Sequence, residues 1–166
     1  MDRIRINRFL PVFLILIVLL MGCDKLIGNK HVNEISEFYE FGDSGLTPGR
    51  HYVFCSYDSL SSETKFTDCD LLLEVRYSEL SKIKNLPVSL EFSSLHSDSI
   101  ISKEIKVPLF DNNDNISGKG NFGIYESIIP VFHNINMQDS IIVALSTNET
   151  TTEGIISVGI IYKSLK

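Results

Sequence analysis

Between Asp70 and Tyr77 the chain alternates: Leu71, Leu73, Val75 and Tyr77 fall on one side of an extended backbone, Asp70, Glu74 and Arg76 on the other. A period of two belongs to a strand with one face on a core and the other in water, and a helix cannot present it. The same grammar recurs downstream. Short runs rich in Val, Ile, Phe, Tyr and Leu are separated by Gly, Asn, Asp and Ser clusters at intervals of roughly ten to fifteen residues, the pattern of an all-β chain. It predicts strands near Ile35 to Phe41, Tyr52 to Tyr57, Leu71 to Tyr77, Val88 to Phe92, Ile100 to Pro108, Ile128 to Phe132, Ser140 to Leu145 and Ile155 to Tyr162. About eight antiparallel strands suit a single two-sheet β-sandwich over residues 34–166, long enough to bury one sizeable core. The one helical candidate after residue 23 is Tyr77 to Lys84, which Asn85 and Pro87 would stop.

The N-terminus follows different rules. Arg3, Arg5 and Arg8 precede an apolar run from Phe9 to Gly22, broken by Pro11 and shorter than the roughly 18 residues a membrane span needs. A positive stretch, a short apolar stretch and a small residue before the cut read as a signal peptide over residues 1–22. The run ends Leu20-Met21-Gly22-Cys23, the pattern of a bacterial lipobox, in which the cysteine is acylated and becomes the new N-terminus. Cys23 is therefore the expected lipid attachment, and residues 23–33 an acylated, polar tether. Several acyl chains at about 0.8 kcal/mol per buried methylene hold a protein firmly on a membrane. Removing residues 1–22 takes away three basic residues and one acidic residue, leaving 12 Lys+Arg against 20 Asp+Glu and a net charge of -8. Anionic lipid repels such a surface, so attachment rests on the acyl chains. The expected location is the bacterial cell envelope, with the domain facing the periplasm or the cell surface.

An exported chain can form disulfides. If the runs His51 to Tyr57 and Cys69 to Val75 make a hairpin, Cys55 and Cys69 fall opposite each other, and a bridge closing about 15 residues contributes about 3 kcal/mol in the loop-entropy model. The alternative is two buried, unpaired thiols, since Cys69 shares parity with Leu71, Leu73 and Val75.

No motif for catalysis emerges. Asp111-Asn112-Asn113-Asp114-Asn115 offers oxygens at alternate positions, but Ile116 stands where a calcium loop needs glycine and Phe122 where it needs a closing glutamate. Gly118-Lys119-Gly120 lacks the spacing and hydroxyl of a phosphate loop and reads as a tight strand connection. His31, His51, His96 and His133 have no ligand spacing to each other or to the cysteines. No catalytic residue, metal site or cofactor is assigned, and the expectation is a non-enzyme. Basic residues are scattered singly after Arg8 in a chain of net charge -6, which argues against nucleic-acid binding. Local function would sit in the turns Gly45 to Gly49, Asp111 to Gly120 and Thr147 to Gly154. Asp58-Ser59-Leu60, Asp98-Ser99-Ile100 and Asp139-Ser140-Ile141 share a form similar to the O-glycosylation acceptor of Bacteroidota, marking Ser59, Ser99 and Ser140 as candidate glycan sites.

The order and spacing of Gly118-Lys119-Gly120, Ile124-Tyr125-Glu126 with Ile129-Pro130, and Gly154-Ile155 with Val158-Gly159-Ile160 resemble the gliding-motility lipoproteins of the GldH type from Bacteroidota. Leu71 to Arg76 is similar to an apolar strand ending in arginine in that family, and the lipobox fits. The chain departs where Thr147-Asn148 replace the family's Met-Arg, and it has no tryptophan. The resemblance implies a cell-envelope lipoprotein that serves the gliding apparatus or envelope upkeep through protein partners, with no known enzymatic activity. The competing class is a surface glycan-binding lipoprotein. Such sandwiches stack sugars on exposed aromatics, and six tyrosines are present for that role.

Overall fold

The computed structural model describes residues 34–42, 44–55, 68–94, 100–136 and 141–165. Nine strands run through them: β1 (Glu34–Glu40), β2 (Tyr52–Cys55), β3 (Asp68–Ser78), β4 (Asn85–Ser94), β5 (Ile100–Pro108), β6 (Lys119–Asn121), β7 (Ile124–Asn136), β8 (Ile141–Ser146) and β9 (Ile155–Ser164). They form two antiparallel sheets, β1-β9-β3-β7-β6 and β2-β8-β4-β5, packed as a sandwich. The all-β, two-sheet expectation therefore holds, and the alternation of β3 is its centre. Leu71, Leu73, Val75 and Tyr77 are fully buried, and each such apolar side chain contributes about 1.5–3 kcal/mol over its exposed state. They pair with Tyr162, Ile160, Val158 and Ile155 on β9 and share one core with Leu86, Val88 and Leu90 of β4 and Val143 and Leu145 of β8.

Side chains close the open edges of the sandwich. Tyr39 of β1 donates its hydroxyl to the Val53 carbonyl (2.8 Å), and the Cys55 amide donates to Glu37 Oε2 (3.2 Å), so β2 offers these two groups to no further strand. On the other side Lys103 points its ammonium inward from edge strand β5 and donates to the Val131 carbonyl (2.7 Å). Val131 is the extra residue of a bulge in β7, between Pro130 opposite Leu72 and Phe132 opposite Leu71. An inward charge at a free edge discourages edge-to-edge pairing.

Three expectations are corrected. Tyr77 to Lys84 is not helical: Tyr77 and Ser78 end β3, residues 79–80 turn, and β4 opens at Asn85. Pro87 fits inside β4 because the β8 ladder starts only at Ser89, and on that side the Pro87 carbonyl accepts from Thr147 Oγ1 (2.6 Å). A ninth strand, β6, takes the last two residues of the turn expected over Asp111 to Gly120 and continues to Asn121. Finally, the runs around Cys55 and Cys69 do not form a hairpin. β2 pairs with β8 in one sheet, and β3 pairs with β7 and β9 in the other.

Register gives the sandwich two distinct ends. β1 starts at Glu34 beside Lys163, and Cys69 lies beside Ser164, while Ser94 lies beside Ile141 and Ser93 beside Ile100. These positions mark the near end, where the described chain enters at Glu34. Ser78 beside Ile124, and Asn85 beside Pro108, mark the far end.

Candidate functional site

All three turns singled out in the sequence lie at the far end; Gly45 to Gly49 and Thr147 to Gly154 are bonded to each other, and Asp111 to Gly120 is bonded to Tyr77 and Lys84. Thr152 Oγ1 donates to the Leu46 carbonyl (2.6 Å) and the Gly49 amide to Thr147 O (2.8 Å). The Ser78 amide donates to Gly154 O (2.8 Å) and the Glu79 amide to Gly123 O (3.3 Å). Tyr77 is the central post. Its buried hydroxyl donates to Leu109 O (2.7 Å) and accepts from the Gly118 amide (2.9 Å), fixing the β5–β6 connection to β3. Burial raises its pKa from the ordinary tyrosine value.

Asp111 organises its own loop. Its Oδ1 accepts the amides of Asn113 (2.7 Å) and Asn115 (2.9 Å), and its Oδ2 accepts Asn115 Nδ2 (2.9 Å). These bonds, the Asn115 side chain foremost, hold its carboxyl below the usual range. Lys84 closes the loop through Asp114 (2.7 Å). The loop is an Asx turn in which both oxygens of the Asp111 carboxylate accept hydrogen bonds. Among the described residues no group of three His, Cys, Asp or Glu is placed to hold a metal ion.

What the far end displays is apolar. Phe122 and Gly123 join β6 to β7 with φ of 52° and 79°, the two left-handed residues of a type I′ hairpin turn. Glycine suits the second position. At the first, Asn would be favoured, and a bulky aromatic there is a conformational outlier. The Phe122 side chain is nevertheless 97% exposed, so packing among the described residues does not offset the cost. Ile124 beside it is 51% exposed and Leu80, on the adjacent β3–β4 turn, 77%. Gly118 and Gly120 let β6 approach β7 closely, since a Cβ on either would meet the carbonyl of Glu126 or Ile124. Lys119 and Gly120, expected from the sequence to be a tight strand connection, belong instead to strand β6, and the connection is Phe122-Gly123.

Two hollows lie at this end. One, of about 650 Å³, is lined by Phe122, Ile124, Tyr125, Arg76, Lys119 and Glu126. Arg76 is engaged: its Nε donates to the buried Glu74 carboxylate (2.6 Å) and its guanidinium lies 4.8 Å from the Phe38 ring centre. Lys119 makes no ion pair among the described residues. The other hollow, of about 590 Å³, is lined by Phe41, Leu80, Ile155, Ile156, Gly154 and Glu153.

The remaining sequence candidates separate. Cys23, Ser59, Ser99 and Ser140 lie outside the described residues. Cys55 and Cys69 are free thiols on different sheets. Cys69 is fully buried, and burial, reinforced by Asp70 and Asp68, pushes its thiol up to about 11. Cys55 is half-buried and shares parity with exposed Val53, whereas Cys69 faces the core. His133 pairs with Asp70 (3.3 Å) and His51 is exposed, while His31 and His96 lie outside the described residues. Of the tyrosines, Tyr52, Tyr77 and Tyr162 are buried and Tyr39 spends its hydroxyl on Val53, so none of these four forms an open sugar platform. No protein-family model matches the chain, and no curated protein matches it significantly.

Sequence reasoning found the three turns and missed Phe122 and Leu80. Its one available signal was Asn121-Phe122-Gly123, a two-residue hairpin turn with glycine second.

Proposed function

We propose that this chain is a membrane-anchored cell-envelope lipoprotein that acts without catalysis, as an assembly or accessory component of the kind its gliding-motility resemblance implies. The lipid on Cys23 holds it at a membrane, and the far-end loops dock protein partners. The observation that carries this reading is the cluster of Phe122, Leu80 and Ile124, displayed on hydrogen-bonded loops at the end opposite Glu34. A rigid scaffold that presents an aromatic and aliphatic anchors to solvent has the makings of a protein-binding hot spot. The envelope location rests on the signal segment and the lipobox.

The test is acyl labelling in the host, followed by crosslinking in intact cells and identification of what co-purifies with the wild type but not with Cys23→Ala. Recovery of motility or secretion-machinery lipoproteins supports the assembly role. Recovery of glycan-uptake components, or of glycan alone, replaces it with the surface glycan-binding module. A wild-type chain that takes up no acyl label removes the anchor.

A further inference from the structure

We draw no further inference here: the strongest candidate, the apolar Phe122 turn with Leu80 and the two hollows at the far end of the sandwich, belongs to the site already described, and nothing in the structure shows what covers it.

Discussion

Phe122 sets a local preference against a surface role. In the left-handed region an L side chain costs about 1–2 kcal/mol, which Asn tolerates better because its short polar group bonds locally. The Phe122 ring is 97% exposed and recovers little of that cost by burial. Phe122→Asn should therefore raise the melting temperature by about 4 °C, the shift that about 1 kcal/mol gives in a domain of this size. Thermal unfolding followed by circular dichroism reads it, and an unchanged or lower midpoint would show that the turn carries no such strain. A second residue-scale contrast concerns the thiols. In the Cys23→Ala chain at pH 8, a soluble alkylating reagent should label half-buried Cys55 and leave Cys69 untouched until denaturant is added, because Cys69 is buried and its thiol titrates near 11. Two thiols should be counted in the denatured chain. A count of zero would restore the disulfide.

Elements are joined here by a few polar posts, and Tyr77 joins the most. Its hydroxyl serves Leu109 and Gly118 together, so Tyr77→Phe leaves the Gly118 amide without a partner and the Leu109 carbonyl with the Ser117 amide alone. A loss of about 1–3 kcal/mol is expected, with amide exchange around Gly118 to Asn121 speeding up more than that in β3. Chemical denaturation and hydrogen exchange measure the two, and a uniform change across the sandwich would mean that Tyr77 does not specifically hold β6. This post also shows where sequence reading ends. The strands with strong alternation were legible because periodicity is a local property: Ile100–Pro108 was bounded correctly and β3 was centred correctly. Lys119–Asn121 was not legible, for a strand of Lys-Gly-Asn carries no apolar signal and exists because β7 and the Tyr77 hydroxyl hold it. Pairing was equally out of reach. The runs around Cys55 and Cys69 are neighbours in sequence, yet each finds its partners in distant strands of separate sheets, a choice made by which face each strand must bury. The candidate site was half legible for the same reason. Turn composition marks loops, whereas the exposure of Phe122 and Leu80 follows from where the completed sandwich ends.

At the scale of the whole molecule, buried and hydrogen-bonded ionisable groups set a pH window. Asp70 is held below the usual carboxylate range, first by the Asn134 amide and then by the His133 side chain, and Asp111 by Asn115. A carboxyl whose folded pKa is depressed binds fewer protons folded than unfolded. Its stabilisation is present above the unfolded value of 3.8 and is lost as pH falls through the lower folded value. Cys69 has the opposite sign. Its folded pKa is raised from 9.0 to about 11, so the folded chain keeps a proton the unfolded chain releases, and stability falls as pH rises through that interval. Tyr162, raised by burial and by Glu37, extends the loss to higher pH, and Tyr77 acts in the same direction. The urea midpoint should therefore be flat between about pH 5 and 8, falling below about 4 and above about 9. The variant Cys69→Ala separates the causes. It removes a buried side chain and lowers the whole curve, but it also removes the first group to titrate, so its alkaline decline should begin near pH 10 with the tyrosines and no longer near 9. If the decline still began near 9, a group other than the core thiol would govern the alkaline limit of the sandwich.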